Sequence, residues 1–386
     1  MKKAYIVTSI DNCNSSSANF DLIKAYLRNN SWLISRKIEA ANVVIINTCA
    51  VTRSYEDKAM QLIRKVQKKK NKSAQVIVTG CLPDINKDRL RKVFKGIAIG
   101  AGSLAELGQI LNISSSIQEI KYIGSSEQLK KNKHTEYNLR IGWGCHGKCS
   151  YCAVKFVYGR PRSRPVTDIL RELDIAYSNG YRKIILTGTD TGTYGEDINV
   201  PLSYLLGKLC QRYKECRFAL SHLTPNRLKE ILPTLEKFIR SGKIWRMYVP
   251  VVSGSDRIIH LMKRPYTAGD FKYCVQNLKS YNPHMTIITI ILVGLPSETE
   301  EDFMKSMKLA DWLDKHRVVI SYAPYSKRPN TEASKITGQI GYRIKSNRLN
   351  RLSKLLNFNY MVRNKKLFER LKNRNLCKGG GNDARQ

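Results

Sequence analysis

Residues 139–152 read LRIGWGCHGKCSYC, a short β-rich run that leads straight into Cys145, Cys149 and Cys152. That run is the first of six strand candidates. KIILTGT (183–189), RFALSHL (217–223), IWRMYVPVV (244–252), MTIITIILVG (285–294) and VVISYA (318–323) follow, with helix-patterned segments between them. Six βα units in a row predict a partial barrel whose chemistry sits at the C-terminal ends of its strands. Thr167 is the expected N-cap of DILRELDIAYSNG, with Gly180 as its C-cap. Ser297 with Glu300 reads as a capping box ahead of EDFMKSMKLADWLDKH.

Upstream the alternation is similar but shorter. KAYIVT (3–8), NVVIINTC (42–49), AQVIVTGC (74–81) and GIAIGAG (96–102) are strand patterns separated by helix patterns. Continuous apolar strands of this kind predict a parallel sheet covered by helices on both faces. Cys49 and Cys81 fall at the C-terminal ends of their strands and Cys13 just past the first, so three distant cysteines are expected to meet on one edge. The predicted class is α/β: an N-terminal parallel α/β domain over 1–112, a linker over 113–138, a partial (βα)6 barrel over 139–340 and a basic helical tail over 341–386 with a disordered end.

The 386 residues carry 67 Lys+Arg against 31 Asp+Glu, a formal charge of +36. At 42% hydrophobic residues the chain is no disordered polycation. No apolar run is long enough for a membrane helix, and no signal peptide is recognised at the start. A cytoplasmic protein with a polyanionic partner, nucleic acid first, is expected. Residues 341–386 alone hold 13 Lys+Arg and 2 Asp+Glu, a charge of +11.

Ten cysteines in a reducing compartment are metal or redox ligands before they are disulfides. Cys145, Cys149 and Cys152, spaced C-x3-C-x2-C, can hold three irons of a [4Fe–4S] cluster and leave the fourth open for a substrate or cofactor. Zinc with His146 as fourth ligand is the alternative, but that ring lies between two of its own partners. For Cys13, Cys49 and Cys81 the alternative is ordinary buried thiols. Cys210, Cys216, Cys274 and Cys377 fit no set.

The cluster motif after the first strand of a partial barrel resembles the radical S-adenosylmethionine superfamily. GCHGKCSYCAVKFVYGRPRSRP (144–165), SGSDRIIHLMKRPYT (253–267), VGLPSETEEDF (293–303), SKRPNTEASK (326–335) and the NTCAVT and VTGC contexts resemble the methylthiotransferases within it. That resemblance implies two [4Fe–4S] clusters, one on Cys145, Cys149 and Cys152 and a sulfur-handling one on Cys13, Cys49 and Cys81. It implies S-adenosylmethionine as cofactor, contacted by Thr189 and Asp190 at its amino group and by Tyr151 near its adenine. It also implies a reductant as electron donor and a sulfur source. Lys155, Arg160, Arg162 and Arg164 form a basic rim suited to phosphates or simply to solvent.

DTGTYGED (190–197) resembles the branch acting on N6-threonylcarbamoyladenosine beside the tRNA anticodon, and GKCSYC resembles its archaeal and eukaryotic form. A tRNA methylthiotransferase acting as a monomer is the expectation. The alternatives are the branch acting on an aspartate of a ribosomal protein and a catalytically degenerate tRNA-binding protein. Three positions depart from the family: Tyr248 and Val252 stand where relatives carry His and Gln, and Ile290 where they carry Asp. The usual C-terminal RNA-binding barrel has no counterpart in the pattern, so the +11 tail is expected to take over its phosphate contacts.

Overall fold

The computed structural model describes residues 1–10, 13–117 and 136–363. Most of the expected linker, the end of the tail and Cys377 lie outside the described residues. Strands β1 (Lys3–Thr8), β2 (Leu33–Ile34), β3 (Val43–Thr48), β4 (Gln75–Gly80) and β5 (Ile97–Ala98) form one sheet in the order β2-β1-β3-β4-β5. Every pair is parallel. β3 is buried along its whole length, as a strand covered on both faces must be. One face packs Val44, Ile46, Met60, Ile63 and Leu82, the other Ile23, Leu27, Ile45, Ile77 and Leu107. The fourth predicted strand shrinks to two residues. The chain beyond it passes so close to Asp84 that a Cβ on Gly100 would lie 2.3 Å from the carboxylate oxygens.

The second sheet starts at β6 (Glu136–Arg140). A two-residue antiparallel pair, β7 (Gly142–Trp143) with β8 (Arg162–Ser163), follows it. Then come β9 (Lys183–Thr187), β10 (Arg217–Leu220), β11 (Ile244–Tyr248), β12 (Thr286–Val293) and β13 (Val319–Pro324). Their order, β13-β12-β11-β10-β9-β6, follows the sequence with every pair parallel. That is the partial barrel the six βα units predict. β12 shows the alternation: Ile287, Ile291 and Val293 join the core under the helices, while Ile288, Ile290 and Leu292 are half-buried towards the interior. The predicted strands run past the observed ends because their last residues become the loops of the site, as at Ser221–His222, where His222 takes φ +56.

Three local expectations are corrected. Pro165, not Thr167, is the N-cap of Val166–Ser178, because proline at that place fixes the entering backbone. The capping box is Thr299 with Asp302, two residues beyond Ser297 and Glu300. Ser297 has φ +59 and donates its hydroxyl to the Thr337 carbonyl, so it belongs to the preceding turn. The third concerns the tail. Helix Tyr342–Arg363 packs on helix Glu300–Lys315 and on β12 and β13, with Leu352 fully buried in the barrel core. It is the outer helix of the sixth βα unit rather than an appendage. Several of its cations act within the fold: Lys345 donates to the Tyr325 carbonyl at 2.8 Å and Arg351 pairs with Glu300. A cut near residue 341 would therefore strip the barrel before it tested RNA binding.

Arg348 and Glu298 form a buried pair at 2.7 Å, and Glu298 also accepts the Gly294 N–H at 2.7 Å. Arg348→Met strands the Glu298 carboxylate and should lower stability by about 3–5 kcal/mol at neutral pH, read as a fall in Tm. Burial already raises the Glu298 carboxyl above its ordinary range. A raised acid binds its proton in the folded state, so the deficit should shrink as pH falls and grow as pH rises. A deficit that deepens towards acid would contradict this account.

Candidate functional site

The loop from Gly144 to Pro161 is pinched at its base by the β7–β8 pair, in the register Gly142↔Ser163 and Trp143↔Arg162. Gly144 starts it at φ +77, where a Cβ would meet the Arg160 carbonyl at 1.9 Å, so only glycine allows the crossing. Cys145 N–H donates to the Gly159 carbonyl at 3.1 Å and Cys152 N–H to the Cys149 carbonyl at 3.2 Å. Between them Ser150 is tied to the barrel twice: its N–H reaches the Met262 carbonyl, and its own carbonyl accepts from Ala333. Gly147 N–H donates to Cys145 Sγ at 3.1 Å. Burial, then the Asp190 carboxylate, pushes the Cys145 thiol up to about 12, and burial raises Cys149 as well. Such thiols ionise only when a cation takes the proton's place.

The N-terminal cysteines converge by strand order alone. β1, β3 and β4 are neighbours and parallel, so the residues after them share an edge. Cys81 N–H donates to the Thr48 carbonyl at 2.8 Å, and Cys49 N–H to Ser9 Oγ at 3.1 Å. Cys13 is the N-cap of Asn14–Asn29 and makes no capping bond with its side chain. Gly80, at φ +101, turns the chain into Cys81 where a Cβ would meet the Thr48 carbonyl at 2.1 Å. Burial pushes Cys49 up to about 11 and Cys81 well above the usual thiol range, with the neighbouring Cys13 adding to the rise at Cys49, and Cys49 and Cys13 to that at Cys81.

The two sheets meet at a joint built by the helices that follow the two thiol sets. Helix Lys155–Tyr158, just after Cys152 within that loop, packs on helix Leu82–Ile85, directly after Cys81. Ala153, Val157 and Tyr158 enter the same core as Ala50, Leu82 and Ala101. Arg140, at the end of β6, reaches across to Asn19 Oδ1, and Arg328 reaches across to Glu56.

Among the described residues no three His, Cys, Asp or Glu side chains close around one point that could hold a single metal ion. A cluster makes no such demand, because its thiolates bind separate irons. His146 is engaged elsewhere, with Nε2 2.9 Å from Glu196, which removes it from a zinc set.

Residues 139–310 match the Radical SAM superfamily, and residues 5–102 match the group described as Uncharacterized protein family UPF0004. The chain is 33% identical over 357 residues to a protein of Archaeoglobus fulgidus named "Probable threonylcarbamoyladenosine tRNA methylthiotransferase", covering 89% of this chain and 81% of that one. The chain belongs to the radical S-adenosylmethionine methylthiotransferase family. It is also 31% identical to the tRNA-2-methylthio-N(6)-dimethylallyladenosine synthase of Alkaliphilus oremlandii, over 91% of this chain and 77% of that one. In fold it is similar to the radical S-adenosylmethionine methyltransferase TsrM of Kitasatospora setae, with a TM-score of 0.63 at 12% identity over 86% of this chain and 75% of that one. Methylthiotransferases are transferases that use S-adenosylmethionine and carry two [4Fe–4S] clusters. The donor chemistry fits: six free cysteines in two sets, four of them with thiols raised by burial, and a glycine N–H already bonded to a sulfur.

The remaining expected residues of this methylthiotransferase surround the cluster loop. Thr189 Oγ1 accepts the Gly144 N–H at 3.1 Å. Asp190 lies 3.9 Å from Cys145 Sγ, accepts from Thr224 at 3.1 Å and from Gly192 N–H at 3.0 Å, and has its carboxyl raised by burial. Tyr151 accepts at its hydroxyl from Arg264 Nε at 3.1 Å and packs beside Val252, Met262 and Tyr325. The basic rim divides. Arg164 is tied inward to Glu172 at 2.6 Å, Lys155 lies 3.7 Å from Glu332, and Arg160 and Arg162 are exposed. Cys216 and Cys274 are buried thiols in the barrel core, their sulfurs 3.9 Å from the Tyr181 carbonyl and 3.6 Å from the Pro225 carbonyl. Cys210 is half-buried beside the barrel core.

Sequence reasoning missed the arginines. Arg264 and Arg328 both sit in a Lys-Arg-Pro string inside quoted motifs, and that repetition was the available signal. The departures are local. Tyr248 packs edge-on against His222 at 4.9 Å, so an imidazole stands beside it. Val252 takes φ +72, a costly conformation for a β-branched side chain, and bridges to β12. Among the described residues no helix is long and apolar enough to cross a membrane.

Proposed function

We propose that the chain transfers a methylthio group to C2 of N6-threonylcarbamoyladenosine beside the anticodon of tRNA, as a cytoplasmic monomer. The observation that carries the reading is the joint: helices Leu82–Ile85 and Lys155–Tyr158, each directly after a thiol set, pack on each other. Cys145, Cys149 and Cys152 hold one [4Fe–4S] cluster, and Cys13, Cys49 and Cys81 the other. When bound, the clusters and S-adenosylmethionine would supply hydrogen abstraction and the methyl that is transferred. Electrons come from a reductant and sulfur from a separate source.

The chain's own residues bind and orient. Asp190 and Thr189 offer oxygens to the ammonium of S-adenosylmethionine. Arg264 fixes the Tyr151 hydroxyl, which sets the ring beside the adenine. The +36 charge favours tRNA over a basic ribosomal protein. The name of the Archaeoglobus fulgidus relative supports the threonylcarbamoyl base.

Deleting the gene should remove 2-methylthio-N6-threonylcarbamoyladenosine from tRNA, with the unmodified nucleoside rising to match. Mass spectrometry of digested tRNA reads both. Loss of the dimethylallyl product instead would transfer the chain to the branch of the Alkaliphilus oremlandii relative, and an unchanged profile would overturn the tRNA reading.

A further inference from the structure

Arg328 is only 2% exposed, although it belongs to the loop after β13 at the edge of the barrel. Burying a guanidinium costs several kcal/mol unless its charge and its N–H groups are answered. The answer in the protein is partial. Arg328 meets Glu56, which is fully buried, but Glu56 also accepts from Arg89 and from Asn86 Nδ2 at 2.9 Å. Arg89 in turn pairs with Asp57, and Arg53 lies 3.4 Å from the same carboxylate. The network thus holds three guanidiniums and two carboxylates, an excess of one positive charge. The Arg328 Nε–H, moreover, is buried without an acceptor.

This excess stands beside the N-terminal thiol set. Arg53 N–H donates to Ser326 Oγ at 2.8 Å, which fastens the Arg328 loop just beyond Cys49 and its following turn. The same loop carries Arg328 to this edge, and Arg140 reaches Asn19 on the helix whose N-cap is Cys13. Both arginines come from the barrel side, whereas all three cysteines come from the N-terminal sheet. A cluster bearing three thiolates is anionic overall. The empty donor and the surplus charge are what such a guest lacks.

We infer that Arg328 is a positioning residue that supplies the countercharge, and a hydrogen-bond donor, to the anionic iron–sulfur group held by Cys13, Cys49 and Cys81. The inference rests on the assignment of a cluster to those cysteines. It means that the barrel tunes a group whose ligands all lie in the other domain. A cation beside an anionic cluster stabilises the reduced form, which carries one more negative charge, and so raises the reduction potential. Glu56 opposes that effect by masking the cation.

The test uses the full chain with Cys145, Cys149 and Cys152 each changed to Ala, so that only the N-terminal set can hold iron. The midpoint is read by potentiometric titration with electron paramagnetic resonance. Arg328→Met should bias the couple at least tenfold towards the oxidised form, about 59 mV more negative for one electron. Arg328→Lys should recover most of the shift. Glu56→Gln should move the midpoint the other way, and it carries the test if the Met variant does not fold. Opposite shifts from the two partners of one ion pair are not expected of a merely structural role. Iron present with an unchanged midpoint in these variants would overturn the inference alone. Iron absent from the triple-Ala parent would overturn the cluster assignment and this inference with it.

Discussion

Cys149→Ala should abolish reductive cleavage of S-adenosylmethionine and halve the iron content, from about eight to about four per chain. The reason lies in how the loop is held. The backbone around Cys149 is fixed by its neighbours: Ser150 is bonded to Met262 and Ala333, and Cys152 N–H donates to the Cys149 carbonyl. None of these contacts needs the Cys149 sulfur. Truncating it therefore leaves the loop in place and removes one of the three ligands proposed for this cluster. The N-terminal set is built on other strands and should keep its iron. Iron assay and release of 5′-deoxyadenosine from reconstituted enzyme measure the two halves of this expectation. Cleavage that survives in the variant would refute the assignment of the C-x3-C-x2-C loop.

Cys49→Ala should give the complementary phenotype: cleavage kept, methylthio product lost, and again about four irons. Cys49 sits at the end of the central buried strand β3, flanked by β1 and β4 and their cysteines. Its N–H is held by Ser9 and the Arg328 loop is fastened nearby, so the alanine variant retains the edge and loses the thiol. The barrel loop is unaffected, because its contacts run to Thr189, Met262 and Ala333. Product is followed by mass spectrometry of tRNA nucleosides after incubation with the anaerobically reconstituted variant. Methylthio product at the parent rate would remove Cys49 from the sulfur chemistry.

Much of this was legible in the residues. Period and apolarity identify both parallel sheets, because a strand buried on both faces has little freedom in composition. Three ligand candidates were legible from their C-x3-C-x2-C spacing, and Cys13, Cys49 and Cys81 from their places at or just past the ends of parallel strands. The helix starts were less so. Ser297 and Glu300 satisfy the capping pattern as well as Thr299 and Asp302 do, and only the Ser297 bond to Thr337, forty residues away, decides between them. The tail misled for a related reason. Its charge is conspicuous in sequence, while its role as a barrel helix rests on contacts of Leu352 and Arg348 with elements far upstream. Arg264 and Arg328 stayed hidden because, apart from the repeated Lys-Arg-Pro string, nothing separates them from so many basic residues until burial singles them out. Their partners, Tyr151 and Glu56, lie 113 and 272 positions away.

The joint between the sheets has a consequence for inheritance. Glu56 comes from one half of the chain and Arg328 from the other, and both are buried where the halves meet. Asn19 and Arg140 repeat the arrangement. The two halves are therefore not interchangeable parts. A chimera that takes its first hundred residues from one relative and its barrel from another must carry matched residues at both crossings, or it will strand a charge between its domains. Substitution at this seam has to be compensatory, and the halves of this enzyme are bound to change together.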